Sequence, residues 1–379
     1  MKIIPYGRQS IDDNDIHAVT EVLRSDYLTQ GPAIPAFEKA FAEYIGARYA
    51  VAVSNGTAAL HLAAMANNLQ PGDKVLTTPI TFAASANCAR YCGAEVVFAD
   101  IDPVTYTIDL DKVQEAFEKY PGIKGVVPVD FAGYATDLEK LKAIADRYGA
   151  WILEDACHAP GGYFTDSRGN KQLCGNGQFA GQAIFSFHPV KHIATGEGGM
   201  ITTNDKSVYE RLLILRTHGI TRDPELMDKN DGGWYMEMRE LGYNYRMPDI
   251  LAALGVTQLK KAEAGLLRRF EIAERYTSGL AGLPLTLPQY TPGHAFHLYV
   301  VQTEKRKELY DYLRTQGIYA QVHYIPVHLM PYYRSFGWKE GDFPVAEAYY
   351  RQCLSLPMYP TLTDEEQQYV IEKIKSFYA

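Results

Sequence analysis

The run Ala150-Trp151-Ile152-Leu153-Glu154-Asp155-Ala156-Cys157-His158 carries four apolar residues straight into two carboxylates. An uninterrupted apolar run of this kind reads as a buried strand of a parallel sheet. Open α/β sheets bind ligands beyond the carboxyl ends of their strands, where Asp155 sits. Read alone, Asp155 is equally a helix cap or a surface ion-pair partner. A second run, Phe185-Ser186-Phe187-His188-Pro189-Val190-Lys191, ends in a lysine, and Thr195-Gly196-Glu197-Gly198-Gly199 follows it. A lysine on a loop after one buried strand, with an aspartate at the end of another, suits a pyridoxal phosphate enzyme. There the lysine holds the cofactor as a Schiff base, and the aspartate keeps the pyridine nitrogen protonated, so that the ring accepts electrons. A single loop lysine is ordinarily solvated. Lys191 stands out by its company: Phe185 and Phe187, histidines on both sides, and glycines just beyond. A partly buried ammonium has a lowered pKa and is a better nucleophile.

Working outward from these runs, the chain alternates. Ile16, Val19 and Leu23 mark a first helix, capped from Ser10 and Asp13, and Phe37, Phe41, Tyr44 and Ile45 mark a second. Strands are expected over 49–53, 74–78, 95–101, 125–129, 151–153 and 199–203. Helices are expected over 57–68, 82–91, 137–148 and 207–217. Strand and helix in repetition imply crossover connections and a mostly parallel sheet covered by helices, an α/β fold. Residues 221–233 read as an exposed loop, and Pro248 opens one long helix toward Leu280. The remainder (297–302, 305–316, 319–324, and a helix from Asp364) reads as a small α+β domain. The division expected is residues 1–250 for a large domain with an N-terminal arm and 251–379 for a small C-terminal one.

Three further features carry chemistry. Ser54-Asn55-Gly56-Thr57 ends a strand and opens a helix, so free backbone N–H groups attract phosphate and Gly56 allows close approach. The plainer reading is a helix cap after a turn. The Ser186 hydroxyl, five positions before Lys191, can help hold the same phosphate. Phe82, after Thr77-Thr78-Pro79-Ile80-Thr81, is placed to stack on a flat ring, although most such aromatics are core.

Composition limits the alternatives. At 379 residues, 47% hydrophobic and 22% charged, the chain is an ordinary globular protein long enough for two domains. A net charge of −8 argues against nucleic acid as a partner, since phosphate backbones call for clustered Lys and Arg. The start, Met1-Lys2-Ile3-Ile4-Pro5-Tyr6, has no signal-peptide pattern, and no apolar run suffices to span a bilayer. Cys88, Cys92, Cys157, Cys174 and Cys353 read as reduced thiols of a cytoplasmic protein. Cys88 and Cys92 lie one helical turn apart, but no neighbouring ligands complete a zinc set, and no metal is expected.

Taken together, these motifs resemble the fold-type I pyridoxal phosphate enzymes, and within them the sugar-nucleotide aminotransferases of the DegT family. The resemblance runs through Leu28-Thr29-Gln30-Gly31-Pro32, Ser54 to Thr57, Thr78-Pro79-Ile80-Thr81-Phe82, Glu154 to His158, Ser186 to Lys191, Gly196 to Gly199 and Gly242-Tyr243-Asn244-Tyr245-Arg246-Met247. It implies that Lys191 bonds the cofactor and Asp155 pairs with its ring nitrogen. It puts His158 near the ring hydroxyl and Phe82 on the ring face, with Gly56, Thr57 and Ser186 holding the phosphate. It also implies a homodimer with shared active sites, in which Asn244 reaches the neighbour's phosphate. L-Glutamate and a nucleotide sugar are the implied substrates, and Arg246 is a candidate for the donor carboxylate.

Val129-Asp130-Phe131-Ala132-Gly133, His188 before Pro189, and Gln321-Val322-His323-Tyr324 resemble the members that act in pseudaminic acid biosynthesis on a UDP-linked 4-keto sugar. In that subgroup Tyr6, the segment Asp26, Tyr27, Leu28, Thr29, and the segment Gln321, Val322, His323, Tyr324 would contact the sugar nucleotide. The chain departs from the pattern at Asp26-Tyr27 and in a longer loop between His218 and Gly242. Other 4-keto or 3-keto sugars on UDP or dTDP remain alternatives. Dehydratase relatives replace the lysine with histidine, and non-catalytic relatives usually carry an added DNA-binding domain. The retained Lys191 and the full cofactor set argue against both.

Overall fold

The apolar runs join into one seven-stranded sheet in the computed structural model, which describes residues 3–379. In chain order its strands are β1 (Tyr49–Val53), β2 (Lys74–Thr77), β3 (Glu95–Phe98), β4 (Ile123–Val127), β5 (Trp151–Asp155), β6 (Gln182–Ser186) and β7 (Gly199–Thr203). In space the order is β1-β7-β6-β5-β4-β2-β3. Strands β2 to β6 pair in parallel. Strand β7 runs antiparallel to both of its neighbours.

Side-chain alternation splits the sheet into two buried faces. Val51, Leu153, Ile184 and Ile201 pack under α3 (Gly56–Ala66) and α7 (Lys206–Leu215) through Leu60, Leu62 and Leu212. Ala52, Ala183, Phe185 and Met200 meet Phe37 and Phe41 of α2 (Ala33–Ile45) on the other face. Farther along that face, Leu76, Val126 and Ile152 meet Val113 and Phe117 of α5 (Leu110–Lys119) and Leu141 of α6 (Leu138–Ala145). Helix α4 (Ala84–Tyr91) follows β2 and carries polar groups toward the carboxyl edge of the sheet.

A separate apolar cluster gathers the C-terminal elements. Strands β8 (Tyr299–Gln302) and β9 (Cys353–Leu356) pair antiparallel. They are covered by α9 (Ala262–Leu280), α10 (Arg306–Thr315) and α12 (Asp364–Tyr378). Ile4 joins this cluster, because Ile4–Pro5 pairs in parallel with Ile318–Tyr319. The N-terminal arm is thereby fastened to the C-terminal elements. Met1 and Lys2 of the N-terminal stretch lie outside the described residues.

Several expectations are corrected. Helix α1 (Asp13–Arg24) is capped by Asp12, in a reciprocal box with Asp15, rather than by Ser10 and Asp13. The segment after Pro248 is two helices, α8 (Asp249–Lys260) and α9, broken at Lys261. Of the strand expected over 319–324, only Tyr319 pairs, as the end of the two-residue strand Ile318–Tyr319, and Gln321 forms an isolated bridge with Ser355. Helix α5, α11 (Pro344–Gln352) and the short hairpin of Tyr163–Thr165 with Lys171–Leu173 were not anticipated. Among the described residues, no helix is long and apolar enough to cross a membrane.

Candidate active site

A cavity of about 980 Å³ opens over the carboxyl edge of the sheet. Asp155 ends β5 and is buried beneath it. Its Oδ2 accepts the Ser85 hydroxyl at 2.6 Å, and its Oδ1 accepts the Cys157 N–H at 3.2 Å. Thr81 Oγ1 lies 2.7 Å from Ser85 Oγ and extends the chain. The carboxylate is therefore oriented by a hydroxyl pair, Ser85 in the first turn of α4 and Thr81 just before it.

Lys191 lies on the connection between β6 and β7. That connection is tied at its base, where Phe187 N–H donates to Gly198 O and Thr195 N–H to Phe187 O, both at 2.9 Å. Phe185 and Phe187 point into the core against Phe41, with ring centroids 4.8 and 5.4 Å away. Alternation then turns Ser186 upward to the cavity. Burial lowers the Lys191 ammonium pKa, and Cys157 and Asp155 only partly offset the shift. Burial also holds the His158 imidazole well below its ordinary value, with Lys191 adding to the effect, so His158 is neutral.

Beside Lys191 the N-terminus of α3 forms a cup. Asn55 caps the helix by accepting the Ala58 N–H at 2.8 Å. A Cβ on Gly56 would sit 3.0 Å from Ser186 Cβ. A Cβ on Gly199 would sit 2.5 Å from the Asn55 backbone carbonyl. Only glycine fits at position 199, and at Gly56 a side chain would crowd Ser186, so the backbone approaches Ser186 closely. The free N–H groups of an 11-residue helix, with the Thr57 and Ser186 hydroxyls, fit a phosphate.

The opposite wall is aromatic. The Phe82 ring, on a residue 64% exposed, lies 6.2 Å from the Tyr324 ring. Tyr324 OH is 3.3 Å from His158 Nε2, and Ala132 N–H donates to His158 Nδ1 at 3.2 Å. The Tyr6 and His323 rings, which also line the cavity, meet at 5.2 Å. His323 Nδ1 is 2.8 Å from Ser355 Oγ. The His323–Tyr324 peptide bond is cis.

Of the residues expected from the sequence, the cavity gathers Tyr6, Gly56, Thr57, Phe82, Asp155, His158, Ser186, Lys191, His323 and Tyr324. It does not gather the others. Asp26, Tyr27, Leu28 and Thr29 are exposed on a segment fastened by the Asp249 N–H to Leu28 O bond. Gln321 is engaged with Ser355 through two backbone bonds, and Val322 packs against apolar core. Asn244 is exposed, and Arg246 faces Val53 in a backbone bridge, so neither lines this chain's own cavity. The sequence reading missed Asn55, Ser85, His61, Tyr243 and Tyr245, which do line it. Asn55 had a signal, a helix-capping side chain directly before Gly56. Ser85 had none, because its partner is 70 residues away.

This donor set fits pyridoxal phosphate. One half-buried lysine of lowered pKa, one oriented carboxylate, a helix N-terminus without room for a side chain and a free aromatic face converge on one cavity.

Comparison with known proteins agrees. Residues 9–375 match the DegT/DnrJ/EryC1/StrS aminotransferase family. The spore coat polysaccharide biosynthesis protein SpsC of Bacillus subtilis is 40% identical, covering 98% of this chain and 96% of its own length. Streptococcus pneumoniae Spr1654, solved in PMP and PLP forms, superposes in its PMP form with a TM-score of 0.91 at 30% identity, over 98% of each chain. Helicobacter pylori PseC, an aminotransferase involved in the biosynthesis of pseudoaminic acid, superposes at 0.90 with 30% identity, over 100% of this chain and 99% of its own. The chain belongs to the DegT/DnrJ/EryC1/StrS aminotransferase family, and it is a fold-type I, pyridoxal phosphate-dependent sugar aminotransferase.

Proposed function

We propose that the protein transfers an amino group from L-glutamate to C4 of a UDP-linked 4-keto-6-deoxy-N-acetylhexosamine, as a UDP-4-amino-4,6-dideoxy-N-acetyl-β-L-altrosamine transaminase of pseudaminic acid biosynthesis. The observation that carries the reading is the set of Tyr6, His323 and Tyr324, which line the same cavity as Lys191 and Asp155. The likeness to PseC over the whole chain supports the same substrate class.

In this reading Gly56, Thr57 and Ser186 would hold the cofactor phosphate, Phe82 would cover the ring, and His158 would serve the ring hydroxyl. When bound, pyridoxal phosphate supplies the electron sink that stabilises negative charge at the reacting carbon. Asp155, oriented by Ser85, would supply the carboxylate for the ring nitrogen and so favour its protonated form. Lys191 Nζ takes the proton from the α-carbon of the amino donor and, in the second half-reaction, delivers one to C4 of the sugar. Its lowered pKa leaves a larger share of free amine for that task.

The exposed Asn244 reaches the phosphate site of a second subunit in a homodimer with shared active sites. The exposed segment Asp26 to Thr29 contributes to sugar-nucleotide contact in the same assembly. Residues 1–250 form the cofactor-binding part and residues 251–379 the C-terminal part. The reaction belongs to the cytoplasm, in keeping with five unpaired cysteines.

A second reading keeps the transamination and changes the sugar to another 4-keto or 3-keto nucleotide sugar carried on UDP or dTDP. The 40% identity to SpsC, which is named for spore coat polysaccharide biosynthesis rather than for pseudoaminic acid, favours it. A panel of 4-keto and 3-keto nucleotide sugars, incubated with L-glutamate and the holoenzyme, decides between the two when the products are identified by NMR. Turnover of the UDP-4-keto-6-deoxy-N-acetylhexosamine well above the other sugars is expected, and preference for a dTDP or 3-keto sugar would overturn the first reading.

A further inference from the structure

Glu154 precedes Asp155 on β5, and strand alternation sends its side chain to the opposite face of the sheet. Glu154 is 1% exposed, and Asp130, at the exit of β4, is 0% exposed. Oxygens of the two carboxyls and the Cys174 sulfur lie within 4.8 Å of one another. Asp130 Oδ1 accepts the Thr136 N–H at 2.8 Å, and Glu154 Oε2 accepts the Gly175 N–H at 2.9 Å. Asp130 Oδ2 is buried and accepts no N–H, and besides the Glu154 carboxyl the polar side chains beside Asp130 are only the Thr136 hydroxyl and the Cys174 thiol. The titratable groups whose charge acts on the pair are Cys174, Cys157 and Asp155, none of which is a cation. Two carboxylates this close, out of water and with no counter-ion, do not both ionise. Burial raises Asp130 to about 6, and burial together with the Asp130 charge raises Glu154 well above its ordinary value.

We infer that Glu154 is protonated and donates its O–H to Asp130 Oδ2, so that one buried proton clamps the exit of β4 to β5 and thereby fixes the tautomer of His158. The link runs through the turn Phe131–Gly133, which Asp130 begins. Within it Ala132 is left-handed, at φ 58°, and this aims its N–H at His158 Nδ1. A backbone N–H can only donate, so Nδ1 carries no proton. The neutral ring holds its hydrogen on Nε2, the atom 3.3 Å from Tyr324 OH. If both carboxyls were ionised, their repulsion would drive Asp130 from Glu154 and release the turn. Glu154 and Asp130 are thus positioning residues, acting on the cavity from behind the sheet. The clamp itself does not depend on the sugar. Its use in catalysis rests on the reading that His158 faces the cofactor.

The test separates the two. Infrared spectra of the cofactor-free protein in D2O at pH 7 are expected to show a protonated carboxyl C=O band that Glu154→Gln removes and Asp155→Asn leaves. Nitrogen-15 NMR of the same protein is expected to show His158 as a single Nε2–H tautomer. That signal is expected to persist in Glu154→Gln, whose amide still donates to Asp130, and to become a mixture in Glu154→Ala. Should Glu154→Ala not fold, the infrared band and the retained tautomer of Glu154→Gln carry the test. Absence of the band, a Glu154→Gln protein with a mixed tautomer, or a stoichiometric metal bound by Asp130, Glu154 and Cys174 in the purified protein would each overturn the clamp. None of these outcomes bears on which sugar is aminated.

Discussion

Ser85 Oγ donates to Asp155 Oδ2 at 2.6 Å, from a helix on one side of the cavity to a strand end on the other. A hydroxyl bonded to a carboxylate is worth about 1.5–3 kcal/mol, which corresponds to roughly ten- to hundredfold in rate if the bond serves the transition state. Ser85→Ala should therefore lower kcat/KM by about tenfold or more, with KM for glutamate nearly unchanged. Steady-state kinetics on the holoenzyme checks this, and wild-type kinetics in the variant would remove Ser85 from the site.

Lys191→Ala should lose both turnover and the visible absorbance of lysine-bound cofactor. General acid–base groups contribute about 10²–10⁴-fold, so the rate should fall by at least that much. Absorbance spectra and an assay for glutamate-dependent formation of pyridoxamine phosphate report the two losses separately. Asp155→Asn should retain cofactor and lose most of the rate, and an equally active variant would contradict the electron-sink role.

Gly56→Ala should weaken cofactor binding more than it weakens folding. The added Cβ lies 3.0 Å from Ser186 Cβ, so it presses on the side chain that helps form the phosphate cup. Titration of the cofactor-free variant with pyridoxal phosphate should give a raised Kd. The thermal midpoint of the cofactor-free protein should shift far less.

Acid should destabilise the fold through its histidines. His158, His192 and His297 are held well below the ordinary imidazole pKa by burial, and His294 and His323 are lowered to about 3. Below about pH 6.5 the unfolded chain binds protons that the folded chain refuses, so stability falls as pH falls. Each such group contributes a slope of about 1.4 kcal/mol per pH unit. Asp130 and Glu154, with raised pKa values, act in the opposite sense: they favour the fold in acid and lose that advantage as pH rises through their folded values. Five groups outweigh two, so the urea midpoint should drop between pH 6.5 and pH 5. His294→Gln, away from the cavity, should make that drop shallower.

The sheet was legible because buried parallel strands are apolar without interruption, and the cofactor residues because they sit at strand ends and a glycine-opened helix. Lys191, Asp155, Gly56 and Ser186 were each marked by local pattern. Ser85, His61 and Tyr245 were not, because what brings them to the cavity is tertiary approach rather than spacing. Helix α5 carries an amphipathic set, Leu110, Val113 and Phe117, behind an Asp109 cap, so its helical period is present in the sequence. The strand expected beyond Tyr319 failed for another reason. Its apolar residues serve two different clusters, so the chain turns instead of extending.

The antiparallel seat of β7 between β1 and β6 has a consequence for assembly. Gly199 pairs with Val53, so closing that ladder brings together segments about 150 residues apart, an entropic cost that local contacts cannot repay. The phosphate cup needs Asn55 and Gly56 on one side of that closure and Ser186 and Gly199 on the other. On the ribosome, the cofactor pocket therefore cannot exist until the chain has emerged past Thr203, however early α3 has formed. Cofactor capture is then a late event in the folding of this protein, and the strand that completes the sheet also completes the phosphate cup.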